Sequence, residues 1–353
     1  MVDEVLYRTS FLFDRNMRIS LLIPCFNEEK SIRASALSWL AQTRPADEII
    51  VVNDSSTDST LKILAEFSGK IKVITTPKNT GNKSHAQEYG LRFVTGEIFV
   101  ATDGDTLLDK NFIKNIEKDF ADPKVAAVGG YVRSLRYNWL TACRALDYIV
   151  GQNLDKLAQD YIGYMFVIPG AAGAFRTDLF RQNICFDHDT ITEDLDFTYK
   201  LHKLGFKIIY NRKAICYTQD PSTLSSYINQ MRRWYGGGWQ NLLKHLHLPD
   251  KPGMALALSL IYIEGLVFSA LLFLVPFISI ASALVFLVAY SVIVVILSIC
   301  AAVYEKRSDI LFVLPGYLLL KYINAWVYLE QFVKEVIFRK KNLVWFQPER
   351  VEM

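Results

Sequence analysis

Three short polar clusters hold side chains able to do chemistry. Asp103-Gly104-Asp105 sets two carboxylates two residues apart, with a glycine between them that lets the chain turn closely. Such a pair suits Mg2+ or Mn2+, which take oxygen ligands and share them with substrate phosphates. A D-G step is equally a solvated turn. Asn53-Asp54-Ser55-Ser56-Thr57-Asp58 offers hydrogen bonds to a base or ribose, and the same residue types make turns and a helix cap at Asp58. Thr192-Glu193-Asp194 opens a helical pattern. A carboxylate there either deprotonates a hydroxyl or complements the helix dipole. Asp187-His188-Asp189 reads as a surface loop rather than a metal site.

Two basic features accompany the acids. Lys83, in T-G-N-K-S, stands at a helix start where a phosphate can bind. It is not a P-loop lysine, since Asn82 and Pro77 occupy the positions where that motif needs glycine. Gln230, Arg233 and Trp234 fall at i, i+3 and i+4, one face of a helix. An amide, a guanidinium suited to phosphate and an indole suited to a sugar face make an unusual core stripe. An interfacial Trp/Arg anchor is the alternative, and it accounts better for Trp239.

The elements that must position these groups alternate. Apolar runs at 19–24, 48–53, 71–76 and 97–102 read as strands, and 28–42, 59–67 and 84–94 as helices. Strands separated by helices imply βαβ crossovers and a mostly parallel sheet, with ligands outside the C-terminal strand ends. Asn27-Glu28, Asn53-Asp54 and Asp103 to Asp105 all lie at such ends. Further on, 140–159, 193–205 and 225–246 read as helices, and P-G-A-A-G-A-F-R (169–176) as a loop.

Composition sets the outer limits. Of 353 residues, 39 are Lys or Arg and 36 are Asp or Glu, a net +3 that gives no field for steering onto nucleic acid. Five cysteines without a C-x-x-C pair argue against zinc ribbons, thioredoxin-type redox and a disulfide framework. Residues 1–18 lack an apolar stretch, so no cleavable signal peptide is expected. Residues 254–304, by contrast, contain a single charge, Glu264. At about 1.5 Å per residue that run fits two membrane spans turning near Pro276–Ser282. Ile310–Leu329 is a third candidate, despite Lys321 and a Pro315-Gly316 break. Basic residues flank the pair (Arg232 and Arg233 before, Lys306 and Arg307 after), which predicts an integral membrane protein with residues 1–250 in the cytosol.

The ordered set Pro24…Asn27-Glu28, V-V-N-D-S-S-T-D (51–58), N-K-S-x-A…G-L (82–91), D-G-D, G-A-A-G-A-F-R (170–176), T-E-D and Q-M-R-R-W resembles membrane-bound family 2 glycosyltransferases. The likeness points to the processive branch of chitin-oligosaccharide, poly-N-acetylglucosamine, hyaluronan and cellulose synthases. It implies an α/β GT-A domain, a Rossmann-like mixed sheet, over 19–250 after an N-terminal segment 1–18. A transmembrane region at 254–332 and a cytosolic or interfacial tail at 333–353 would follow. It also implies a UDP-sugar donor, Mg2+ or Mn2+, inverting chemistry, and a saccharide or lipid-linked acceptor at a membrane. By that analogy Asp194 is the base. Pro24, Asn27, Glu28, Asp54, Lys83, Asp103, Gln230 and Arg233 hold the nucleotide sugar, and Asp105 with Asp103 the metal. Gly173, Glu193 and Trp234 border the acceptor. Asn53 replaces the commoner first Asp of the family pattern, and Ser55 replaces a Gly.

Overall fold

The computed structural model describes residues 17–245, 252–343 and 349–353, with side chains except at 252–260. Among these residues, eight strands form one mixed sheet: β1 (Ile19–Cys25), β2 (Glu48–Asn53), β3 (Lys72–Thr75), β4 (Ile98–Ala101), β5 (Leu107–Leu108), β6 (Val125–Ser134), β7 (Gly173–Arg176) and β8 (Lys207–Thr218). The helices are α1 (Ile32–Leu40), α2 (Thr60–Ala65), α3 (Lys83–Leu91), α4 (Phe112–Asp119), α5 (Trp139–Val150), α6 (Lys156–Tyr161), α7 (Thr177–Arg181), α8 (Glu193–Lys203), α9 (Leu224–His245), α10 (Pro252–Ile278), α11 (Ile280–Tyr304) and α12 (Leu314–Phe332). The sheet order is β3-β2-β1-β4-β7-β6-β8-β5. Strands β3, β2, β1 and β4 run parallel, β7 is antiparallel to both β4 and β6, and β6 is parallel to β8.

Burial on both faces explains why the parallel strands read as unbroken apolar runs. In β1, Leu21 and Ile23 join the cluster under α1 and α4, whereas Leu22 points the other way, toward Ala86 of α3. That two-residue alternation packs both sides of one strand. Two differences from the sequence reading have local causes. Helix α1 begins at Ile32 rather than residue 28, because Glu28 to Ser31 form a turn in which the Ser31 and Ile32 amides donate to the Glu28 carbonyl. The expected loop at 169–176 ends in a strand: Gly173–Arg176 form β7, wedged between β4 and β6.

Among the described residues, three helices are long and apolar enough to cross a membrane, at Ile261–Ile278, Ile280–Tyr304 and Ser308–Ile337. The first two are joined by a tight turn in which Ser279 caps α11 through the Ser282 amide. The third differs from them. Lys321 pairs with Asp147 of α5 at 2.7 Å, and Gly316 lies against Cys143. At the other end Arg232 of α9 bonds Glu330 at 2.9 Å. Helix α12 therefore packs against α5 and α9 at both of its ends. Its lysine faces a carboxylate rather than lipid.

Candidate active site

Strand ends and helix starts bring the acidic clusters together around one cavity of about 810 Å3. The D-G-D turn follows β4 and passes close to β1. A Cβ on Gly104 would press on Cys25 and Glu28, so only glycine fits this approach comfortably. Asp105 is buried, and its Oδ2 lies 2.7 Å from the Arg350 guanidinium. Arg350 also donates to Glu28, from Nη2 at 3.0 Å and from Nε at 3.1 Å. Burial pushes the Asp105 carboxyl up to about 7, reinforced by Glu28 and Asp103 against the pull of Arg350. Asp103 and Asp105 offer carboxylate oxygens, the donor type Mg2+ and Mn2+ take, and each is already paired with a side-chain cation, Asp103 with Lys83 and Asp105 with Arg350. A guanidinium already sits among these carboxylates, so the cradle suits a positive charge.

Lys83 opens α3 and pairs with Asp103, while also donating to the Gly170 carbonyl at 3.3 Å. Burial pulls its ammonium down, but Asp103 and Glu193 outweigh burial and hold it above the usual lysine range. Asp54 directly follows β2, and its carboxylate is held by the Thr80 amide and by the Thr76 and Thr80 hydroxyls, each of these hydroxyls at 2.8 Å. The neighbouring Ser55 has φ +54°, the left-handed backbone that glycine adopts without strain. This is the position where the family pattern commonly carries Gly.

The second wall comes from α8 and α9. Asp194 sits in the first turn of α8, with Oδ1 bonded by the Leu195 amide at 2.9 Å and Oδ2 by the Gly170 amide at 3.3 Å. Burial and the adjacent Asp194 charge push the Glu193 carboxyl up. Helix α9 presses directly on this segment. Gly237 leaves room for Thr192, and Asn241 Nδ2 donates to Thr192 Oγ1 at 2.9 Å. Gln230, Arg233 and Trp234 line the same cavity from α9, as their spacing predicts. The Trp234 ring is met by Arg144, whose guanidinium centre lies 5.1 Å from its centroid. Trp239 is core, packed against Tyr262, Tyr328 and Phe332.

Most of the expected residues converge, and two do not. Pro24, Glu28, Asp54, Lys83, Asp103, Asp105, Glu193, Asp194, Gln230, Arg233 and Trp234 line the cavity. Asn27 turns toward the β2–α2 loop instead, where its Oδ1 accepts from the Thr57 amide at 2.8 Å. Gly173 is held inside β7, enclosed by Phe175 and Ile168 rather than facing the cavity. Asp187 and Asp189 are neutralised by Lys244, at 2.6 Å each, and His188 turns away to Glu88 and Ser84. Arg350 has no local sequence signal; it stands 322 positions from Glu28 and is placed by Val351, which exchanges hydrogen bonds with Gln219.

A half-parallel mixed sheet with acids at its strand ends, beside a helix-borne carboxylate and guanidinium, defines a GT-A-type glycosyltransferase fold. Solved structures share it. The mannosyltransferase PcManGT from Pyrobaculum calidifontis, in complex with GDP-Man and Mn2+, superposes with a TM-score of 0.63 at 21% identity, over 90% of this chain and 88% of that one. S. aureus TarS 1–349, in complex with UDP-GlcNAc, gives 0.55 at 18% identity, over 90% and 92%. At these identities the likeness shows the fold. The chain belongs to glycosyltransferase family 2: the profile described as "Glycosyltransferase like family 2" matches residues 16–237. Poly-beta-1,6-N-acetyl-D-glucosamine synthase of Staphylococcus epidermidis is 30% identical over 230 residues, 64% of this chain and 56% of that protein. The enzyme of the same name from Staphylococcus aureus strain COL is 28% identical over the same shares. The chain thus spans just over half the length of these relatives.

Proposed function

We propose that this glycosyltransferase moves a sugar of the GlcNAc or glucose type from a UDP-sugar to a growing polysaccharide, with inversion to a β-linkage. One observation carries the reading: a single cavity runs from the strand-end carboxylates, past Asp194 and Arg233, to Tyr262 and Tyr328 on the apolar helices. A nucleotide site that opens toward membrane helices suits an acceptor that leaves along the membrane. The acceptor hydroxyl gives its proton to Asp194 and attacks the anomeric carbon on the face opposite the diphosphate. UDP departs with the bonding electrons. Lys83 and Arg233 stabilise the charge developing on the diphosphate, the preorganised electrostatics that dominates such catalysis. Asp103 and Asp105 would hold a divalent ion, which adds further charge neutralisation when bound.

Incubating the purified full chain in proteoliposomes with UDP-GlcNAc or UDP-glucose tests the reading. UDP release together with a carbohydrate polymer supports it. A single sugar added to extractable lipid would replace polymer synthesis by lipid glycosylation. Absence of UDP release from every donor would remove the reading altogether.

The chain's membrane arrangement belongs to the same proposal. Residues 349–353 rest on the catalytic domain, and both ends of α12 touch α5 or α9. Two crossings, α10 and α11, return the chain to the side it left, with α12 lying along the interface. The basic flanks support a cytosolic catalytic domain in this arrangement.

A further inference from the structure

Between α5 and α6 the helix does not break; it widens into a single π turn over Gly151–Asp155. Such turns are rare and recur at functional sites. Around this one, Tyr148, Gln152 and Lys156 follow at four-residue intervals, and all three line the cavity that holds Asp194. Gln152 is 5% exposed and Lys156 9% exposed, so both polar side chains are more than nine-tenths buried. Gln152 Oε1 has no hydrogen-bond partner among the described residues. Lys156 Nζ donates to the Val167 carbonyl at 2.8 Å, which uses one of its three N–H groups. Burial brings its ammonium down to about 8, with Asp194 acting in the opposite direction.

Burying an amide oxygen without a hydrogen-bond partner is costly, and burying an ammonium costs more. Leu and Met would fill the same space without that penalty. Neither polar group is needed by the transfer chemistry described above. A ligand that accepts from Lys156 and donates to Gln152 removes the cost. Sugar ring hydroxyls, or a hydroxyl beside an acetamido group, match that pairing of donor and acceptor.

We infer that Gln152 and Lys156 form a sugar-reading subsite, binding hydroxyl or acetamido groups of the sugar seated beside Asp194. The inference rests on the UDP-sugar transferase reading and deepens it. The sugar is either that of the donor or the terminal unit of the acceptor, and the chemistry recognised is the same.

The test uses the full chain in nanodiscs, wild type and the variants Gln152→Leu and Lys156→Met. Calorimetry measures the binding of UDP, UDP-GlcNAc and UDP-glucose, and UDP release is followed against added GlcNAc as primer. UDP affinity should stay within about twofold in both variants, because the subsite does not touch the nucleotide. If the donor sugar is read, UDP-sugar affinity falls about tenfold, the order expected for one lost charge-assisted hydrogen bond. If the acceptor is read, donor affinity holds and the KM for GlcNAc rises about tenfold. The thermal unfolding midpoint of Gln152→Leu should not fall, since an unpartnered amide oxygen has been replaced by an apolar group, whereas Lys156→Met also loses the bond to the Val167 carbonyl and is judged on its ligand affinities. A purely structural role predicts the reverse: a lower midpoint for Gln152→Leu, and UDP affinity falling in parallel in both variants. That pattern overturns the inference, as do variants that match wild type for donor and primer. A wild-type chain that binds neither UDP nor either UDP-sugar overturns this inference and the proposed function together. Normal wild-type binding with silent variants removes only the inference.

Discussion

Asp194 is held by two backbone amides at the start of α8 and faces the cavity, a placement suited to taking a proton. Asp194→Asn keeps the shape and the first-turn hydrogen bonding but removes the proton acceptor. Donor binding should survive while transfer drops about 10²–10⁴-fold, the range for loss of a general base. A helix-capping role predicts near-wild-type turnover, so single-turnover transfer with saturating donor separates the two. Trp234→Ala should fail differently, weakening acceptor use and shortening the product while hydrolysis of the donor by water persists. At the acidic cradle, Asp105→Asn should abolish both turnover and Mn2+ binding followed by electron paramagnetic resonance. Full activity after metal stripping in EDTA would contradict that assignment. The acids were legible because each cluster follows a strand, and strand ends of a parallel sheet share one edge. Arg350 was not legible. Its partners lie across the molecule, and nothing in the local spacing of a basic tail distinguishes the one residue that enters the site.

The strands and helices of residues 19–102 were readable from periodicity alone, because burial on both faces gives long apolar runs. Strand β7 was not, since Gly173 and Ala174 carry too little side chain to show any period; its pairing with β4 and β6 decides its conformation. The third apolar helix was legible in length but not in placement. The charge that looked foreign to a span, Lys321, has its partner Asp147 in a helix 174 residues away. A second long-range clamp lies at the end of α11. Glu305 is buried between Arg133 of β6 and Arg212 of β8, the latter at 2.7 Å. Burial raises the Glu305 carboxyl, but the two guanidinium groups outweigh it and hold it below the ordinary glutamate range. A depressed carboxylate stabilises the fold above its unfolded pKa of about 4.3, and that contribution is lost as pH falls through the folded value. Glu305→Gln should therefore lower the unfolding midpoint at pH 7, by the equivalent of about 1–3 kcal/mol for lost charged hydrogen bonds. Below about pH 4 the difference from wild type should narrow. A gap that stays constant with pH would show that the pair does not couple α11 to the sheet.

For the whole molecule, α12 and the tail decide the topology. With two crossings, the catalytic domain, α12 and residues 349–353 share one face of the membrane. Protease added to sealed, right-side-out cells should spare epitopes appended at the N-terminus and at the C-terminus alike. Cleavage of the C-terminal epitope alone would mean that α12 crosses as well. Sugar transfer by Asp194 is decided by UDP released from UDP-GlcNAc and UDP-glucose by the purified full chain, wild type beside Asp194→Asn. Wild type should release UDP steadily with at least one donor. Asp194→Asn should lose that release while binding the donor as wild type does. Release from neither donor, or equal rates in the two proteins, would rule out transfer through Asp194.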